Sequence, residues 1–392
     1  MSAPSYKRLF SRALAAAPGR QHFAAHSHHL WPDASFEGHL QAWQDAATFA
    51  DVKWDKIFGD VMPTAQRHIA QEFRLPDPNT IAFAPNTHEL FVRLFSAKRV
   101  DRPLDVLTSD GEFHAFRRQA ERWEEEGLIR RRIVPCEPYA TFDARFIEAA
   151  HKQAPDIAFL SHIMFKSGQR FDAIEHLAAI AQPDRTWIVL DCYHSFMAIP
   201  ADFARVADRV FLIGGGYKYA MAGEGAGYLH CPPGFAPRPA NTGWFAGFSS
   251  MEGKQEGVGY GADSSRFLGA TFDPTSLYRF NAVHAMLSRE ALTTATITAR
   301  IAGLRAQIER AIEAGDCGVL READLLRPNA NGPQARFISL RDPRAVAWKA
   351  KLLAANIITD ARDDVLRIGL GLYHDEADIT PFCEGVRRAL TS

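Results

Sequence analysis

From about residue 80 the chain alternates short apolar runs with stretches whose apolar residues recur every three or four positions. Thr80–Phe83 reads as a strand, and Asn86–Glu89 opens an amphipathic helix through Leu90 and Leu94. Leu104–Leu107 is a second apolar run, and Phe113–Glu126 follows as a helix with arginine and glutamate on its wet face. Arg132–Pro135 is short and β-like, and Phe142–Lys152 is helical. Asp156–Leu160 and Trp187–Leu190 bracket a helix around Ile174–Ala181, and Val210–Ile213 and Ala226–Leu229 complete the series. Strands alternating with helices predict an α/β fold, a mostly parallel sheet covered by helices on both faces. Ligands on such sheets gather at the carboxyl ends of the strands.

The rest of the chain reads differently. Pro232–Ala262 is rich in glycine, proline and aromatics and suits a long functional loop. Pro274–Arg310 reads as long helices that lead into an α+β portion ending near Thr391. A length of 392 residues accommodates two domains. The expected division is an N-terminal segment, 1–45, over the small domain and the site, a large domain, 46–272, and a smaller C-terminal domain, 273–392.

Composition narrows the function classes. A formal net charge of −1 gives no global field for nucleic acid or an anionic membrane. No apolar run approaches the roughly 18 residues that span a bilayer. The five cysteines are scattered without CxxC spacing, against a disulfide framework or a zinc site and in keeping with a reducing compartment. Lys7, Arg8, Arg12 and Arg20 make the N-terminus basic, as in a transit peptide, and an amphipathic opening helix accounts for it equally. The expected location is the cytoplasm.

The chemistry concentrates where two apolar runs end. Phe211–Ile213 gives way to Gly214–Gly216 and then to Tyr217, Lys218 and Tyr219, while Trp187–Leu190 ends on Asp191. A carboxylate at one strand end and a lysine just past the next suit pyridoxal 5′-phosphate (PLP). The lysine forms a Schiff base, and the carboxylate keeps the pyridine nitrogen protonated. Asn86 and Thr87 at a helix start suit an anion or a simple cap. Phe113, after a predicted strand, can stack on a ring or belong to the core. His194, three residues past Asp191, can stack, shuttle protons or be structural. His26, His28 and His29 lie close together without a supporting acidic or cysteine cluster, so no metal is expected. His28 and His29 suit the lining of a substrate pocket or plain exposure.

Asp191–Pro200 and Gly214–Tyr219 resemble the PLP-binding region of the kynureninase branch of the class V aminotransferase superfamily, which are fold type I PLP-dependent enzymes. Asn241–Ala246, Arg266–Thr271 with Pro274–Ser276, and Val365–Tyr373 resemble further segments of that branch in order and spacing. The resemblance covers roughly residues 20 to 390. It implies Lys218 as the Schiff-base lysine, Asp191 as partner of the pyridine nitrogen, Tyr217 on the phosphate and in proton transfer, and Phe113 stacked on the ring. Asn86, Thr87, Trp244 and Thr271 would hold the phosphate, partly across a homodimer interface. Arg367 would clasp the substrate α-carboxylate with its planar fork.

The chain also departs from that branch. Ala222–Gly227 carries Glu224 where a proline is usual, and His114–Phe116 replaces a Pro-Thr-Asp run after the stacking phenylalanine. Ile357–Asp364 lacks the cysteine that a thiolate-dependent desulfurase needs. The resemblance implies hydrolysis of a Cβ–Cγ bond with release of alanine; transamination and β-elimination by a C–S lyase share the same machinery.

Overall fold

The computed structural model describes residues 4–250, 257–329 and 331–391. Its large sheet has seven strands: β1 (Ile81–Ala84), β2 (Leu104–Ser109), β3 (Ile129–Val134), β4 (Ile157–Ser161), β5 (Trp187–Asp191), β6 (Val210–Gly215) and β7 (Gly227–His230). Their order is β1-β7-β6-β5-β4-β2-β3. All neighbours are parallel except β7, which runs antiparallel to both β1 and β6. The central runs are continuously apolar because both faces are covered. Leu160, Ile188, Leu190 and Leu212 enter one core, while Phe159, Val189, Phe211 and Ile213 enter the other. On that second face Phe116 stacks on Phe159 at 3.7 Å.

The sequence pattern misplaces β3 and shifts several ends. This edge strand starts at Ile129 rather than Arg132, and its arginines reach outward. Arg131 pairs with Glu124 at 2.7 Å and Arg132 with Asp105 at 3.0 Å, so a half-wet strand carries no apolar run to read. Asp156 precedes β4 instead of joining it. Its carboxylate accepts the Asp105 amide at 2.7 Å and pairs with Arg102. The helix expected to reach Ala181 is Ile174–Ala178. Of the Pro232–Ala262 loop, residues 251–256 lie outside the described residues.

A second sheet of four antiparallel strands, β8 (Asp324–Leu325), β9 (Phe337–Arg341), β10 (Asp360–Arg362) and β11 (Val365–Gly369), has the order β10-β11-β9-β8. Helices Thr294–Ala314 and Ile379–Thr391 accompany it. The N-terminal segment is sewn onto this part: Gln21 and His22 pair in parallel with Ile357 and Ile358, and Phe23 packs on Phe382 at 4.0 Å. Helix Asp33–Phe49 lies on helix Thr275–Arg289 so closely that a Cβ on Gly38 would come within 2.7 Å of the Tyr278 carbonyl. Among the described residues no helix is long and apolar enough to cross a membrane.

Candidate active site

Register brings three strand ends level: Ser161 of β4 lies beside Asp191 of β5, and Asp191 beside Ile213 of β6. The chain leaves β6 through three glycines, each required by a neighbour. A Cβ on Gly214 would lie 2.3 Å from the Tyr228 hydroxyl, one on Gly215 2.1 Å from the Tyr193 hydroxyl, and one on Gly216 2.9 Å from Ala226 Cβ. The glycines therefore let two tyrosine rings close on the turn that presents Lys218.

Lys218 is 5% exposed, and its Nζ lies 2.6 Å from His194 Nε2. The rings of Tyr193, Phe113 and Tyr217 stand 5.0, 5.6 and 5.7 Å from the amine. Burial, then the Arg367 charge, pulls the lysine down to about 7 against the opposing pull of Asp191. Burial, Lys218 and Arg367 likewise hold His194 well below the usual imidazole range. The contact is thus between an amine and an imidazole that both resist charge, and among the described residues His194 Nδ1 has no hydrogen-bond partner. Asp191 Oδ1 accepts the Tyr193 amide at 2.8 Å, and burial raises the carboxyl above its ordinary range. Tyr217 is pushed up to about 12 by burial and then by Asp191, so it keeps its phenolic proton.

A cavity of about 260 Å³ opens on this group. Asn86, Thr87, Phe113, Asp191, His194, Tyr217 and Lys218 all line it. Asn86 caps helix Thr87–Ala97 by accepting the Glu89 amide at 3.0 Å, and this helix start, Asn86 to His88, lines the cavity. The walls also include Tyr193, Ser161 and Phe165, which the motif reading passed over. Beneath the floor, Glu112 accepts the hydroxyls of Ser109 and Ser161 at 2.5 and 2.7 Å. Burial pushes it up to about 8, making it a neutral acid that fixes Ser161. Only its place before Phe113 could have signalled it.

Arg367 stands behind the Phe165 wall, 2% exposed. Its guanidinium pairs with Asp360 and donates to the Phe165 carbonyl at 2.5 Å, while its Nε–H has no partner. Asp360 also receives Arg362 at 2.6 Å, and the buried His26 ring approaches it at 3.8 Å. The other histidines divide. His28 is exposed and stacks on Tyr217 at 4.9 Å, near Glu224. His29 is buried and pushed down to about 3 by that burial; its Nδ1–H donates to the Leu30 carbonyl at 2.7 Å, and its backbone N–H to the Tyr217 carbonyl at 3.2 Å. It ties the N-terminal segment to Tyr217. Trp244 and Thr271 meet each other at 3.3 Å on the surface and do not line the cavity of their own chain. No group of three or more metal-ligating side chains is found among the described residues.

No family model matches the chain. It is 29% identical over 166 residues to isopenicillin N epimerase of Streptomyces clavuligerus, a match spanning 40% of each protein. Solved structures align over nearly the full length. The cystine C–S lyase C-DES, in complex with its product cysteine persulfide, has a TM-score of 0.77 at 18% identity, covering 95% of this chain and 99% of that one. The apo cysteine desulfurase of Thermococcus onnurineus NA1 gives 0.78 at 15%, covering both chains fully, and the Escherichia coli desulfurase CsdA 0.77 at 15%, covering 98% of each. With its mostly parallel sheet and separate antiparallel C-terminal sheet, the chain has the architecture of the fold type I PLP-dependent enzymes.

Proposed function

We propose that this protein is a PLP-dependent enzyme acting on an amino acid, and that it expels a sulfur leaving group from the β-carbon as a C–S lyase. The observation that carries the reading is Lys218: a buried amine at a strand end, without a carboxylate salt-bridge partner, against a neutral histidine.

The cavity fits the cofactor. Its walls are aromatic, His194 meets Lys218 through Nε2 and has an Nδ1 unpartnered among the described residues, Asp191 contributes a carboxyl to the lining, and the capped start of helix Thr87–Ala97 provides amides for a phosphate. Lys218 would hold the aldehyde carbon, Asp191 the ring nitrogen, Phe113 and His194 the ring faces, and Asn86, Thr87 and Tyr217 the phosphate. Trp244 and Thr271 are assigned to the phosphate pocket of a second copy of the chain. When bound, PLP supplies an electron sink for the bond broken at the substrate α-carbon. The chain supplies the rest. Lys218, lowered to about 7 and so largely free to accept a proton near neutral pH, would take the α-proton; Asp191 would keep the ring nitrogen's proton in place; Arg367 would orient the substrate carboxylate; and Tyr217, protonated to about pH 12, would donate to the departing group.

Two observations support this branch. C-DES is a cystine C–S lyase of the same fold. Among the described residues no cysteine lines the cavity, and Cys192, next to Asp191, is fully buried with burial raising its thiol. A lyase needs no protein thiolate, whereas a desulfurase does. The Cβ–Cγ hydrolysis implied by the sequence resemblance is the second reading, favoured by the Asp360–Arg362 hairpin set against Arg367.

Borohydride reduction of the purified protein in the presence of PLP is the test. A PLP adduct mapped to Lys218 by peptide mass, and lost in Lys218→Ala, is expected; no adduct would sink the enzyme reading. Cystine turned over to pyruvate and ammonia keeps the lyase, whereas alanine and an aromatic acid from kynurenine replace it with the hydrolase.

A further inference from the structure

The scattered spacing of the cysteines conceals one close pair. Cys317 follows helix Thr294–Ala314, whose chain reverses at Gly315 with φ +86°, and Cys383 lies near the start of helix Ile379–Thr391. Their sulfurs are 2.7 Å apart, though 66 residues separate them. All five cysteines are free thiols, and among the described residues this is the one pair whose sulfurs meet in a hydrogen bond. A disulfide needs about 2.05 Å between sulfurs, so closing the bond asks for well under an ångström of movement.

The surroundings favour reaction at one sulfur. Cys317 is fully enclosed, but Cys383 forms part of the wall of a surface cavity of about 570 Å³, lined also by Arg387, Asp316, Gln307 and Glu384. A small oxidant therefore has a path to Cys383 and none to Cys317. The Cys317 thiol donates to Cys383. That bond, helped by Arg387 and opposed by burial and Asp316, draws the Cys383 thiol below its ordinary value, while Cys317 is driven up. Attacking and resolving sulfurs are thus distinct.

We propose that Cys383 and Cys317 form a reversible oxidation site, with Cys383 the sulfur that meets a hydroperoxide and Cys317 the one that resolves it. The Cys383 thiolate attacks one peroxide oxygen: an S–O bond forms, the O–O bond breaks, and hydroxide leaves with the electron pair. The Cys317 sulfur then attacks Cys383, releasing its proton and the Cys383 oxygen as water. Two thiols are oxidised and one hydrogen peroxide is reduced to two waters. The bond staples the C-terminal helix to the end of Thr294–Ala314. Phe382, beside Cys383, packs on Phe23, so the staple also braces the N-terminal segment that runs on to His26 and His28.

The test treats the whole protein with hydrogen peroxide, blocks remaining thiols and maps peptides by mass. A Cys317–Cys383 cross-link two hydrogens lighter than the thiols is expected, reversed by dithiothreitol, with the melting temperature raised by about 3 °C or more. In Cys317→Ser the expected product is a Cys383 sulfenic acid trapped by dimedone, with no cross-link. Over-oxidation of Cys383 without a cross-link, a cross-link to another cysteine, or both thiols intact at a dose that oxidises glutathione would each overturn the proposal. The wild-type map needs no variant to fold and no cofactor.

Discussion

Lys218 and Arg367 are buried cations of the same cluster, and the fold treats them in opposite ways. Lys218 is given a neutral imidazole and aromatic rings, so burial removes much of its charge. Arg367 is given Asp360 and a backbone carbonyl, which hold its charge at 2% exposure against burial and the neighbouring Arg362. A buried amine without a counter-ion is suited to act as a nucleophile or base; a buried guanidinium with one keeps its charge and its planar fork fixed in place. The difference lies in the partner rather than in the depth of burial.

The sharpest way to break this comparison is Arg367→Lys. The charge facing Asp360 remains, so the fold is expected to survive, but the planar fork is gone. Steady-state kinetics should show KM for the amino acid raised roughly 10- to 100-fold, the loss of one or two charge-assisted hydrogen bonds, with kcat changed only a few-fold. A fall in kcat at unchanged KM would instead place Arg367 in the chemical step.

The second test follows the missing counter-ion through stability. The folded Lys218 value of about 7 lies below the 10.5 of an ordinary lysine. Between those values the unfolded chain binds the extra proton, so this group makes the wild type more stable as pH rises across the window. Below pH 7 the lysine is charged in both states, and the folded protein bears the full desolvation cost. Lys218→Met, measured without cofactor by urea unfolding, should therefore exceed the wild type by up to a few kcal/mol at pH 6, with the gap closing towards pH 10. A gap independent of pH would mean that burial does not cost the lysine its proton.

How much of this was legible in the sequence depends on the range of the signal. Asp191 and Lys218 could be read because Asp191 closes the apolar run of β5 and Lys218 follows the end of β6 by three residues, and both runs are buried in the sheet. Phe113, Asn86 and Thr87 follow the same logic one turn further on. Asp360 and His26 were given no role in the site, since their place in it comes from pairing across β10, β11 and the N-terminal segment. The three glycines were visible, but two of them are required by the Tyr228 ring of β7 and the Tyr193 ring after β5, which no local pattern reveals. Edge strand β3 was misplaced because three consecutive arginines hide a strand that is partly wet.

The smallest expected effect comes from the rim, where partner and depth both count for little. His28 stacks on Tyr217 and faces Glu224 at 3.7 Å, yet both side chains are more than 60% exposed. Water and salt screen such a pair, and the stack alone is worth less than a decade of affinity. His28→Ala should shift KM by less than about threefold, and raising salt from 50 to ~500 mM should change wild type and variant alike. A tenfold or larger rise in KM that salt does not erase would put the imidazole on the substrate itself. The line between receptor and rim would then have to be redrawn to include the N-terminal segment, and with it His29, whose backbone N–H already holds Tyr217 in place.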